Sequence, residues 1–328
     1  MTTLTLPATR LPDRRTLTGA GAMLTTTALW GLVFLGPELA PGLPAPLLAG
    51  LRYLAHGLAS LAVLRRVAQR GATPDWWRAA RHGLAGFVGY YLLVTIAVRT
   101  GGASLVVVLM STSPVVLTLA SRPGVPLRRL AGPFATILAG GVLATVGDGI
   151  DAAGLRTLLL TAVLVAGGMA IWTWYALDNE KVVARDDLDL TRWTATTGVA
   201  TGLVSLPLVA YGLAVAPTAR VVLDPTAIAV LLVLGLGSTT LANRAFNTAT
   251  RNLGSARTGA MLVFEPVFGL TWAHLWIGSM PSGRVLLGEA LLVIGAMAAL
   301  VVLQNARRRA ARPTVSRGAA HPAVPRQR

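Results

Sequence analysis

"AVRTGGASLVVVLMSTSPV" (residues 97–115) and "ATRNLGSARTGAMLVFEPV" (residues 249–267) align without a gap when the chain is slid along itself by 152 positions. Ala97/Ala249, Arg99/Arg251, Gly102/Gly254, Pro114/Pro266 and Val115/Val267 coincide, and the Arg and Pro matches weigh most because Ala, Gly and Val are abundant here. One difference stands out: Glu265 lies opposite Ser113. The second copy thus puts an acid in the middle of an apolar run.

The surroundings of this pair set the class. Hydrophobic residues are 54% of 328 and charged residues 13%, well under the rough quarter of a soluble domain. Intervals such as 103–121 and 228–243 carry no charge at all. About 20 apolar residues in a helix cross a hydrocarbon core. Apolar runs and their polar breaks give ten spans: 19–37, 45–64, 82–98, 103–121, 130–148, 156–177, 193–215, 226–246, 255–277 and 285–304. The first run follows Arg10, Arg14 and Arg15 as a signal peptide would, but its length and the span right behind it read as an uncleaved helix.

The net charge of +16 does not point to nucleic acid, because the basic residues sit between spans and in the tails. With the N-terminus inside, inner segments hold 23 of the 29 Lys and Arg, and the outer loops hold Arg99, Arg156, Arg220 and Arg284. That bias puts both termini in the cytoplasm and anionic lipids beside the basic loops. Lys181 is the lone lysine, and such Arg-rich usage fits a bacterial plasma (inner) membrane.

The internal match lays spans 3–4 on spans 8–9, which implies two five-helix halves. Five is odd, so the second half enters from the other side. The expectation is an all-α integral membrane protein with ten transmembrane helices in two inverted-topology five-helix repeats. Residues 1–18 form a cytoplasmic tail, 19–149 the first repeat, 150–305 the second, and 306–328 a disordered basic tail with little to bury. Inverted repeats recur in secondary transporters, where exchanging the conformations of the halves swaps inward-open for outward-open.

Four stretches carry a family resemblance: "ALWG" (28–31), "APLLAGLRYLA" (45–55), "FEPVFG" (264–269) and "LLGEALLVIGAMAAL" (286–300). Together they resemble the EamA-type transporters of the drug/metabolite transporter superfamily, over about residues 20–305. The resemblance implies a ten-helix, two-repeat permease and fixes no substrate. The first half departs from the family pattern: "SPVVLTLASRPGVP" has no Glu-Pro pair.

Glu265 is the leading candidate site residue. It lies about ten residues, ~15 Å, along its span, where an ionised acid facing lipid costs several kcal/mol. Three roles stay open: carrier of a coupling proton, partner of a cationic solute group, or structural lock. Arg52 shares a face with His56 and Ser60. It either lines a cavity, holding a carboxylate or pairing with Glu265, or snorkels outward. His56 is a proton carrier or a hydrogen-bonded interior residue. Thr240, Asn243, Arg244, Asn247, Thr248 and Arg251 form one stripe of span 8, of which Thr240 and Asn243 are deep enough to meet a solute. Trp30 is a cavity-wall candidate, and "WTWY" (172–175) reads first as an interfacial belt and second as a stacking platform. Pro114 and Pro266 mark helix kinks, and Gly140, Gly141, Gly198 and Gly202 mark close packing.

Absences bound the chemistry. No Walker A motif surrounds Lys181, the four histidines lack metal-ligand spacing, there is no nucleophile elbow, and there is no cysteine. No cofactor, metal or nucleic acid is expected. The composition sets no oligomeric state, a homodimer being one option. The reading is a secondary transporter, an exporter of a small organic metabolite, amino acid or drug working by alternating access, with proton coupling. A membrane-embedded enzyme and a non-transporting scaffold or sensor remain as alternatives.

Overall fold

A computed structural model of the chain describes residues 13–67, 74–121, 124–145, 152–215, 224–278, 280 and 282–310. The tail beyond residue 310 and Arg220 lie outside the described residues. Fourteen α-helices follow one another: α1 (Arg14–Gly31), α2 (Gly36–Leu39), α3 (Ala45–Arg66), α4 (Trp76–His82), α5 (Tyr90–Met110), α6 (Ser113–Ala120), α7 (Leu127–Thr145), α8 (Ala152–Val183), α9 (Leu190–Val215), α10 (Pro225–Leu232), α11 (Ala242–Leu253), α12 (Ser255–Met261), α13 (Phe264–Ile277) and α14 (Gly283–Ala310). Several starts are capped by side chains. Asp13, Asp75 and Asp224 accept from the backbone N–H of Thr16, Arg78 and Ala227, each satisfying one orphan donor of a first turn. The first helix begins at Arg14, so the expected tail is shorter than 1–18.

Seven helical stretches are long and apolar enough to cross a membrane among the described residues: Arg14–Leu39, Ala45–Arg66, Trp76–Gly102, Gly154–Val183, Leu190–Val215, Pro225–Leu253 and Gly283–Ala306. They fall on expected spans 1, 2, 3, 6, 7, 8 and 10. The other three differ for visible reasons. Spans 4 and 9 are interrupted at Ser111–Thr112 and Leu262–Val263, which end two residues before Pro114 and three before Pro266. Proline removes an N–H and crowds the preceding turn, so the regular α-ladder gives way there to a tight turn in which Thr112, Leu262 and Val263 keep right-handed helical dihedrals. Span 5, α7, has Arg128 and Arg129 in its first turn and Pro133 inside.

The backbone repeats at the same spacing as the sequence. Gly102 has φ 80 and ψ 157, and Gly254 has φ 79 and ψ 158. Only glycine adopts this region freely. A second feature was not legible in the sequence: two wide π-helical turns, Gly83–Gly89 and Val233–Leu241. Shifted by 152, the first falls inside the second.

Packing obeys the same exchange. Among the strongest partnerships are α3 with α9, α7 with α14, α5 with α8, α1 with α11 and α6 with α12. Numbered by span these are 2·7, 5·10, 3·6, 1·8 and 4·9, a set that maps onto itself when the halves are swapped; α1 with α13, which packs as extensively as α6 with α12, stands outside it. Small residues make the central pair close. A Cβ on Gly57 would lie 2.6 Å from Gly202 Cα, and one on Gly140 would lie 2.6 Å from the Gly288 carbonyl oxygen.

Gly102 isolates the backbone term, because a Cβ there would meet nothing within 4 Å. Gly102→Ala is expected to lower stability by about 1–3 kcal/mol through strain alone. Gly132→Ala, equally open but helical, should be neutral or gain up to ~1 kcal/mol. Thermal unfolding of both in detergent checks the contrast.

Candidate functional site

The π turns, the two helix interruptions and the aromatic segment of α8 meet around a narrow cavity of about 40 Å³. Glu265, Arg52, Ser113 and Trp30 all border it. Each arrives for a local reason. Glu265 and Ser113 sit in the first turns that restart after the two breaks. The first π turn brings Gly86 and Phe87, and the second brings Ser238 and Thr239. A π turn shifts the helical phase by one residue and recurs at functional sites. Here hydroxyls occupy the widened ladder: Thr239 donates to the Leu234 carbonyl and Thr240 to that of Gly235.

Arg52 is 3% exposed and does not snorkel. Its Nε donates to Thr239 Oγ1 at 2.8 Å, and its guanidinium lies 4.1 Å from the Tyr91 ring centroid and 5.2 Å from that of Tyr53. It forms no ion pair with Glu265. Its Nη1 is buried without a hydrogen-bond partner among the described residues. Glu265 is 5% exposed, and its carboxyl has no hydrogen bond or ion pair to any described residue. One cavity therefore holds a guanidinium and a carboxyl that do not neutralise each other.

The remaining candidates are placed differently. His56 is fully buried, with Nδ1 2.8 Å from Thr240 Oγ1 and its ring stacked on Phe87, and both His56 and Thr240 border a separate crevice. Thr239, not Thr240, borders the central cavity. The stripe read on span 8 divides into two edges. Asn243 and Asn247 turn inward, while Thr240 and Arg244 turn outward. Asn243 stands behind the wall, accepting from the Tyr175 hydroxyl at 3.2 Å. "WTWY" also divides: Trp172 and Tyr175 border the cavity, and Trp174 packs under the Arg81 guanidinium. Trp30 meets Trp172 edge-on at 5.7 Å and Phe246 at 5.2 Å. Tyr53, Tyr90, Trp172, Tyr175, Ser238 and Thr239 are wall residues that hydropathy does not separate from ordinary core.

Beyond the cavity, the arginine-rich end is tied shut by polar contacts. Asp178 accepts from Arg78 Nε and Nη2, both at 2.8 Å, and lies 2.9 Å from the buried His82 Nε2. Asn179 accepts from Trp193 Nε1 and donates to Asn247, and Glu180 accepts from the Ser255 N–H. Arg251 donates to the carbonyls of Val183 and Leu188, while its own carbonyl accepts from Arg15. The 184–189 turn holds a local pair in which the Arg185 guanidinium keeps the Asp187 carboxyl below its usual range. At the other end Arg99, the repeat counterpart of Arg251, donates to the Leu43 carbonyl. Each arginine thus closes onto the loop between the first two spans of a half.

Asp178→Ala is expected to cost about 2 kcal/mol, because three donors lose a charged acceptor. Asp187→Ala, on the exposed turn, should change stability by less than ~0.5 kcal/mol. Equilibrium unfolding in detergent compares them.

Fold and site define a multi-pass membrane protein, helical throughout its described elements, with a mostly apolar cavity that holds one guanidinium and one carboxyl. Residues 17–123 match the EamA-like transporter family, which supports the resemblance over the stretch that holds "ALWG" and "APLLAGLRYLA"; residues 264–269 and 286–300 lie outside the match. The inner membrane protein YtfF of Escherichia coli is 27% identical over 313 residues, covering 87% of this chain and 95% of that protein. A protein of Streptantibioticus cattleyicolor named "Probable terminal-alkyne amino-acid exporter" is 26% identical over 287 residues, covering 84% and 91%. One crystal structure shares the fold, with a TM-score of 0.69 at 20% identity, over 88% of this chain and 99% of that one.

Proposed function

We propose that this protein is a secondary transporter of the bacterial inner membrane that exports a small organic solute by alternating access, in exchange for protons. Its ten membrane-crossing segments form two inverted halves, 19–149 and 150–305, with both termini cytoplasmic. The matched glycines, the matched π turns, the two breaks and the swap-invariant packing support the two halves. The arginine distribution supports the orientation. The names of the two relatives, an inner membrane protein and an exporter, agree with location and direction.

The observation that carries the reading is the shared cavity of Arg52 and Glu265. The cavity is narrow in this conformation and admits a small organic molecule only when one end opens. Arg52, pinned by Thr239 and two tyrosine rings, offers a fixed fork to a carboxylate. The Glu265 carboxyl has no hydrogen-bond or ion-pair partner among the described residues, which favours the coupling role over the lock role. A carboxylate kept from water is costly and a neutral carboxyl is not, so Glu265 takes a proton whenever the cavity closes and loses it on the side where water enters. The solute class is a carboxylate-bearing metabolite, amino acids included. The bonds around Asp178 and Arg251 hold the cytoplasmic end closed in this conformation.

The test is flux of labelled amino acids and related carboxylates into vesicles reconstituted with the purified protein, with and without an imposed pH gradient. Transport of at least one carboxylate, accelerated by the gradient, supports the reading. No flux of any candidate under either condition overturns it.

A further inference from the structure

A second crevice of about 180 Å³ lies between α3, α9 and the second π turn with the start of α11. It is distinct from the central cavity and shares no residue with it. His56, Ser60, Thr191, Thr194, Thr240 and Arg244 supply its polar lining, which contains no acid.

Arg244 makes it unusual. Its helix runs nine residues further, to Leu253, about 13 Å at the α-helical rise, which sets Arg244 well back from the helix end. Its neighbours Leu236 and Leu241 are 43% and 53% exposed, which marks this face as one that meets lipid. Arg244 is exposed on it, and its guanidinium has no hydrogen bond or ion pair to any described residue. Charged groups inside a span are rare and pair with something. The crevice behind it is walled in part by Thr194, Thr240, Ser60 and the buried His56, which hold protein partners of their own, so Arg244 is the group left to meet an occupant.

We infer that this crevice binds the headgroup of an anionic phospholipid from the cytoplasmic leaflet. Charge complementarity selects the occupant, because one cation and several hydroxyls face the space and no carboxylate opposes them. The crevice opens sideways among lipid-facing leucines, so the occupant arrives from the bilayer. Basic pockets between helices near this leaflet suit phosphate headgroups. The phosphate sits on Arg244, whose long stem reaches toward the interface, with Thr191 beside it. The inference needs the membrane reading but no transport activity.

Native mass spectrometry of the detergent-purified full chain, with phosphatidylglycerol or phosphatidylcholine added, tests it. The protein should retain phosphatidylglycerol over phosphatidylcholine by about fivefold, the ratio expected for one cation near the surface. Arg244→Gln should abolish the preference, and Arg244→Lys should keep part of it. Gln substitution at Arg65 and Arg66, in the basic loop, should leave it intact. An undiminished preference in Arg244→Gln, its loss in the Arg65/Arg66 variant, or displacement of the lipid by inorganic phosphate would overturn the proposal.

Discussion

Glu265→Gln is expected to fold, to bind solute, and to lose all pumping against a gradient. The reason lies in the free energy of one proton. A pH difference of one unit is worth 1.36 kcal/mol per proton, which sustains about a tenfold solute gradient in a one-for-one exchange. Glutamine keeps the shape and polarity of the neutral acid and cannot take or release the proton. Accumulation ratios in vesicles should therefore fall from about tenfold per pH unit to one, while exchange of labelled for unlabelled solute continues. Normal yield with lost accumulation identifies the coupling group. A variant that still accumulates solute as the wild type does removes Glu265 from the coupling step. A variant that fails to fold, with Glu265→Asp folding normally, returns the residue to a structural role.

Arg52→Met should produce the second large effect, and on binding. The methionine preserves apolar stem packing against Tyr53 and Tyr91 but removes the fork. A charge-assisted hydrogen bond to a carboxylate contributes about 1.5–3 kcal/mol, so the KM for a carboxylate solute should rise roughly ten- to hundredfold. An uncharged ester or amide of the same solute should lose little. Arg52→Lys restores charge without the planar fork and should recover affinity only in part. Equal losses for acid and ester would mean that Arg52 holds the wall together and does not read the solute.

Much of the fold was legible in the sequence. Charge counts and apolar runs placed the seven long helices, and the Arg, Gly and Pro matches between 97–115 and 249–267 pointed to positions whose backbone turns out alike. Gly102 and Gly254 share one glycine-only conformation, and Arg99 and Arg251 close onto equivalent loops. Spans 4 and 9 were legible only as apolar runs. Their interruptions depend on how proline is accommodated by neighbours, which hydropathy does not report.

The site was legible in part. Glu265, Arg52, Ser113 and Trp30 were singled out by being polar or aromatic at depth, and all four border the cavity. Thr240 and Asn243 stand apart from the cavity: Thr240, in the π turn, faces a separate crevice, and Asn243, on α11, stands behind Tyr175. A π turn has no composition signal here, since "VLGLGSTTL" reads as an ordinary apolar helix. The inward turn of Trp172 and Tyr175 was equally hidden. Aromatics near a helix end look the same whether they meet lipid or a cavity.

The central claim is that one cavity is reached alternately from the two membrane faces. The chain has no cysteine, so Ser113→Cys would carry a single thiol, in the cavity wall. The most direct measurement is the rate at which a membrane-impermeant thiol reagent modifies it from each face of oriented vesicles, with Asp178 intact or replaced by Ala. The account predicts reaction from both faces. Asp178→Ala should speed it from the cytoplasmic face and slow it from the external one, because opening one end closes the other. Reaction from one face only, at a rate that Asp178→Ala leaves unchanged, would contradict it.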